Sequence, residues 1–164
     1  SILFASGKLD ETMYGPPLKH FITKPGVHVT LDADYDKFDL DHVDARRRSI
    51  YRFIFRTRPD PMLEALDCPD ASLSAPVRST SVNALQALVL WNNRFTLRQS
   101  EHLATLAQTQ SKDLGEQIKI VSIRILGRPP TETELTSWKG YSTKHGLANL
   151  VRVLFNCSEF LFVD

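Results

Sequence analysis

The stretch Leu114-Gly115-Glu116-Gln117-Ile118-Lys119-Ile120-Val121-Ser122-Ile123-Arg124-Ile125-Leu126-Gly127-Arg128-Pro129-Pro130-Thr131-Glu132-Thr133-Glu134 decides the fold class. Leu114, Ile118, Val121 and Ile125 recur at helical spacing, which predicts an amphipathic helix over about 113–126. Gly127 ends it, because glycine enters the left-handed conformation of a helix stop without steric cost. Arg128-Pro129-Pro130 is a connector. Thr131-Glu132-Thr133-Glu134 then reads as a capping box, in which Thr131 accepts from a backbone N–H and Glu134 reaches back.

The helical pattern extends in both directions. Ser81 is placed to N-cap a helix carrying Ala84, Leu85, Leu88 and Trp91, and Asn92-Asn93 breaks it or caps the next. A second helix follows to about Gln108, with Phe95, Leu97, His102, Leu103 and Leu106. The capping-box helix runs to about His145 and stops at Gly146. A last helix holds Leu147, Leu150, Val151, Leu154 and Phe155.

Residues 1–80 read differently. Seven of the nine prolines lie before residue 77. Gly15-Pro16-Pro17 and Pro25-Gly26 are turn signals. Val27 to Leu31 alternates as a short strand does. Ser49 to Thr57 sets Tyr51, Phe53 and Phe55 on one side, which favours a strand, although Ile50 and Ile54 also fit a helical face. Pro61 to Leu66 reads as a short helix with proline early in it. Cys68 to Pro76 reads as a loop. The expected fold is mainly α: a C-terminal bundle of about five helices over 81–164, after an irregular, Pro-rich half over 1–80 with one or two short β-strands. Residues 1–164 are read as a single domain.

Composition sets the outer limits. The chain has 164 residues, 42% of them hydrophobic, enough to bury a core of about two-thirds of its surface. Its net charge of +1 excludes a globally basic nucleic-acid binder and a polybasic membrane-surface domain. No apolar run approaches the roughly 20 residues that span a bilayer. Neither a nucleic-acid partner nor a membrane span is expected.

The charge is segregated. Asp32, Asp34, Asp36, Asp39, Asp41 and Asp44 form an acidic run, and Arg46, Arg47, Arg48, Arg52, Arg56 and Arg58 follow it. Asp32, Asp34 and Asp36 alternate as calcium ligands do, but Lys37 and Val43 stand where that loop needs glycine and glutamate. The competing reading is an acidic loop solvated or paired with arginine. The arginines in turn either clamp an anion through their planar forks or neutralise the aspartates beside them. Cys68 and Cys157 are read as free buried thiols, with a disulfide as the alternative. His102, beside Leu103, is read as a packed histidine. There is no HExxH, GxSxG, P-loop or GxGxxG.

Polar residues concentrate in 46–92. The candidate site comprises Arg56, Asp67, Asp70, Arg78, Thr80, Asn83, Gln86 and Asn92, set among apolar helix positions. Polar groups there must find partners, because an unmade buried hydrogen bond is expensive. They form either a clasp, with Arg78 and Asp67/Asp70 pinning a loop onto a helix, or a ligand pocket. Catalytic residues are not identifiable.

Several long motifs carry a resemblance. They are Arg47-Arg48-Ser49-Ile50-Tyr51-Arg52-Phe53, Phe55-Arg56-Thr57, Pro59-Asp60-Pro61-Met62 and Ala65-Leu66-Asp67-Cys68-Pro69-Asp70. Pro76-Val77-Arg78, Ala84-Leu85-Gln86-Ala87-Leu88, Asn92-Asn93 and Gln99-Ser100-Glu101-His102 follow. Leu126-Gly127-Arg128-Pro129-Pro130-Thr131 and Ser158-Glu159-Phe160-Leu161-Phe162-Val163-Asp164 complete the set. With them the chain resembles the family of domain of unknown function 1553, the planctomycete-type C-terminal domain. Ser72-Leu73-Ser74-Ala75 departs from the pattern, since relatives tend to carry more polar residues there.

The resemblance implies that residues 1–164 are the C-terminal part of that domain in a large exported, extracytoplasmic protein. The opening Ser1-Ile2-Leu3-Phe4-Ala5-Ser6-Gly7, read as the end of a helix, carries the same expectation. It implies a haem only in a separate cytochrome c module, as this chain has no CxxCH and no cofactor is expected in it. The family brings no established activity. Two functions follow as expectations. One is a non-catalytic accessory or interaction domain whose partner is the N-terminal remainder of its own protein. The other is a polysaccharide-binding or polysaccharide-degrading module using Asp67, Asp70 and Arg78.

Overall fold

The apolar spacing and the caps of the C-terminal half become consecutive helices in the computed structural model, which describes residues 1–25, 31–55, 58–68 and 84–161. In chain order the elements are α1 (Ile2–Ala5), β1 (Ile22–Pro25), β2 (Leu31–Asp34), 3-10 helices over Val43–Arg46 and Ser49–Tyr51, and α2 (Pro61–Ala65). There follow α3 (Ala84–Asn92), α4 (Arg94–Gln110), α5 (Leu114–Leu126), α6 (Glu132–His145), α7 (Leu147–Phe155) and α8 (Ser158–Leu161). The fold is mainly helical, with one two-stranded antiparallel sheet near the N-terminus. The chain divides into two compact units, Ser1–Lys8 with Leu90–Asp164, and Leu9–Val89.

The helical unit is built from its caps. Asn93 starts α4 by accepting from the Phe95 N–H, and Asp113 starts α5 by accepting from Glu116. Gly127 ends α5 in the left-handed region at φ 73°. Thr131 and Glu134 form the expected capping box of α6, which ends at Gly146. On α7, Leu147, Leu150, Val151, Leu154 and Phe155 are all buried, a complete i, i+3, i+4, i+7, i+8 stripe. They meet Leu103, Ala104 and Ala107 of α4 and Ile118, Val121 and Ile125 of α5 in one core.

The short α1 belongs to the same core through Ala5. Its end is held by polar bonds: Arg124 Nε donates to the Ala5 carbonyl at 2.7 Å, and the Ser6 hydroxyl donates to Gln99 Oε1 at 2.7 Å inside the protein. Gly7, at φ 71°, lets the chain pass where a Cβ would meet Leu106 and Arg124 at 3.0 and 3.1 Å.

The Leu9–Val89 unit corrects one expectation. Of the strand read over Val27–Leu31, residues 27–30 lie outside the described residues, and Leu31 begins β2. The pairing runs Ile22 opposite Asp34 through Pro25 opposite Leu31. The strand read over Ser49–Thr57 is absent from the described part: Ser49–Tyr51 is a 3-10 turn, and Phe53–Phe55 has no regular structure. The aromatic alternation has another cause. Tyr51 turns to the 12–14 loop: the Arg47 guanidinium stacks over its ring at 4.0 Å, and its hydroxyl oxygen accepts from the Tyr14 N–H at 2.9 Å. Phe53 and Phe55 pack with Phe21, at centroid distances of 5.9 and 5.3 Å. The short helix after Pro61 forms as expected, N-capped by Asp60. The Ser81 cap lies outside the described residues.

Candidate functional site

Of the candidate residues, Asp67, Gln86 and Asn92 are described; Arg56, Asp70, Arg78, Thr80 and Asn83 lie outside the described residues. Asp67 follows α2 in the left-handed region, at φ 55°, where aspartate is tolerated better than bulkier side chains. Its Oδ2 accepts from Gln86 Nε2 at 2.7 Å, so α3 and the end of α2 are joined through this pair. Asn92, at the far end of α3, serves the helical unit. Its Oδ1 accepts from Arg152 of α7 at 3.4 Å, while Arg152 Nε donates to the Trp91 carbonyl at 2.6 Å and stacks over the Trp91 ring at 4.2 Å.

The acidic run is met by cations. Arg58 binds both oxygens of Asp32 at 2.7 and 2.6 Å, and Lys24 forms an ion pair with Asp34. Asp34 also accepts from the backbone N–H groups of Asp36 and Lys37, closing the turn after β2. Among the described residues, no group of three or more His, Cys, Asp or Glu side chains is placed to hold a metal ion. The neighbouring arginines divide their donors otherwise than a simple neutralising run would. Arg46 donates to the Asp41 carbonyl, and Arg47 to the carbonyls of Thr12 and Tyr14 at 3.0 and 2.6 Å. They brace backbone rather than carboxylates.

A network that the sequence did not point to centres on His20. The ring stacks on Phe38 with centroids 5.3 Å apart. Its Nε2 lies 3.0 Å from the Asp44 carbonyl, and Arg52 Nε donates to its Nδ1 at 2.8 Å. Arg52 also forms a 3.0 Å ion pair with Asp60, whose other oxygen caps α2 through the Met62 N–H. Burial, reinforced by the Arg52 charge, pushes the imidazole pKa down to about 4. These partners are 24 to 32 residues from His20 in sequence, so no local motif could have disclosed them.

In the helical unit Arg128 is the densest polar node. It grips Glu134 through two N–H groups at 2.9 Å and Glu159 through two more at 2.7 and 2.8 Å. Glu134, bound by this guanidinium and by Thr131, falls to a pKa of about 2. Cys68 and Cys157 are free thiols, and Cys68 is exposed rather than buried. His102 is half-buried. Among the described residues, no helix is long and apolar enough to cross a membrane.

This is a small helical bundle joined to an irregular, arginine-braced unit. The family described as Protein of unknown function (DUF1553), PSD1, matches residues 1–142, and the chain belongs to it. The match ends before Glu159, the carboxylate that Arg128 reaches from within the matched region. Comparison with curated proteins and with solved structures gave no match.

Proposed function

We propose that this chain is a non-catalytic accessory domain that packs against the remainder of a larger extracytoplasmic protein and completes its fold. One observation carries the reading: in the Leu9–Val89 unit, large apolar side chains face outward. Ile50 is 84% exposed, Val43 59%, Leu85 58% and Ile54 55%. Large apolar side chains open to solvent are available to be covered by another surface. The extracytoplasmic setting and the identity of the partner as the chain's own N-terminal remainder rest on the family resemblance. The hydrogen bond from Gln86 to Asp67 supports the clasp reading of those two residues over a sugar-binding one.

Light scattering with a hydrophobic dye on the 164-residue chain tests the proposal. The chain alone is expected to self-associate and bind dye, and the longer protein to do neither. Hydrogen exchange is expected to slow at residues 43–54 when the remainder is attached. A monodisperse, dye-silent monomer with unchanged exchange in the longer protein would overturn it.

A further inference from the structure

The two nitrogens of His20 face partners of opposite and fixed polarity. The Asp44 carbonyl can only accept, so Nε2 carries the hydrogen. Arg52 Nε–H can only donate, so Nδ1 presents its lone pair. The geometry therefore selects one neutral tautomer, and an imidazolium has no place in it. We propose that His20 is an acid-sensitive latch of the Leu9–Val89 unit: a proton taken from solvent at Nδ1 expels the Arg52 guanidinium and frees the segments that the ring joins.

Those segments are three. The 3-10 helix Val43–Arg46 contributes the Asp44 carbonyl, residue 38 contributes the stacked Phe38, and the stretch after Tyr51 contributes Arg52. Backbone bonds from Leu18 N–H to the Tyr51 carbonyl (2.8 Å) and from Phe53 N–H to the Leu18 carbonyl (2.9 Å) join the same two stretches of chain that His20 and Arg52 join. Once protonated, Nδ1–H would oppose Nε–H of Arg52, cation against cation. Arg52 would then lose the ring while still paired with Asp60.

The charged groups around the ring act in both directions. Arg52 disfavours the imidazolium, whereas the Asp60 and Asp44 carboxylates favour it, and the Asp44 carboxylate also has His42 Nδ1 3.4 Å away. Burial and Arg52 prevail. The folded pKa, about 4, lies below the ordinary 6.5. The unfolded or opened state therefore binds the proton first as pH falls. The stabilisation is complete above about 6.5 and is lost progressively down to about 4.

The decisive measurement is a histidine-ring NMR titration of the whole chain. His20 is expected to stay neutral, with the hydrogen on Nε2, at pH values where an ordinary histidine is charged. Urea unfolding gives the second readout. Between pH 6.5 and 4.5 the midpoint of the Leu9–Val89 unit is expected to fall in the natural chain and to fall less in His20→Gln, which carries no titrating ring. A His20 that titrates near 6.5, or that shows the opposite tautomer, overturns the latch. Equal acid slopes for the two chains overturn it as well. If His20→Gln does not fold, the ring titration of the natural chain decides alone.

Discussion

Inside the helical unit, Leu103, Ile118, Val121, Leu150, Val151 and Phe155 are sealed from water, while among the described residues of the Leu9–Val89 unit Phe21 is the single large apolar side chain that is buried. The second unit sets the half-buried rings of Tyr35 and Phe55 and the exposed ring of Phe53 against Phe21 and leaves Ile50, Val43 and Ile54 outside. Its order comes from polar joints instead. Arg47 braces the 12–14 loop, Arg58 holds Asp32, Lys24 holds Asp34, and His20 links to Arg52 and Asp60. Dispersion and burial scale with area and tolerate acid; directional joints between charged groups respond to pH and salt. The same chain thus contains one unit held by packing and one held by geometry.

The strongest blow to this contrast comes from the packed side. Phe155→Ala removes a ring with no solvent exposure at the junction of α4, α5 and α7. A cost of roughly 3–5 kcal/mol is expected, because the surrounding side chains cannot close the cavity fully. Urea denaturation followed by helical circular dichroism measures it. A loss below about 1 kcal/mol would mean that the core is loosely packed and that the two units differ less than their burial indicates.

A smaller effect isolates a joint within the packed unit. Thr131→Ala deletes the oxygen that accepts from the Glu134 N–H at α6's start. About 1 kcal/mol of stability is expected to go with it. Glu134 would keep its two bonds to Arg128, so α6 should remain tethered to the connector. Thermal unfolding of the variant checks the cost, and an unchanged midpoint would show that the bonds of Glu134 to Arg128 and to the backbone N–H of residue 131 suffice to set the entry of α6.

The difference between the units also explains what could be read in advance. Helix boundaries in 93–155 are encoded locally: Asn93, Asp113 and Thr131 cap, Gly127 and Gly146 stop, and the apolar residues recur at helical spacing. Each signal lies within one turn of the element it governs. In 9–55 the determinants are remote. The alternation of Tyr51, Phe53 and Phe55 resembled a strand because period two is all that sequence shows. Yet the rings diverge, Tyr51 to the Tyr14 loop and the phenylalanines to Phe21. β2 contains Asp32 and Asp34, residues that strands avoid, and holds them by cations from Arg58 and Lys24. Of the candidate site, the pairing of Asp67 with Gln86 joins two residues of one polar segment, whereas the network of His20, Arg52 and Asp60 has no signature in the sequence, because its members lie far apart along the chain and each is ordinary alone.

The smallest predicted change is the most discriminating. Ile50 lies in the 3-10 turn Ser49–Tyr51 with 84% of its surface open. Truncation to alanine removes methyl groups that contact solvent, so Ile50→Ala should alter the stability of the chain by less than about 0.5 kcal/mol. If Ile50 is part of a docking surface, the same substitution should reduce self-association of the chain and weaken its hold on the remainder of the protein. Paired urea and sedimentation measurements separate these effects. A neutral change in stability with reduced association supports an outward apolar face that works in contact with another surface. A loss above about 1 kcal/mol would place Ile50 among residues already buried within the chain, and the second unit would then be held by packing like the first.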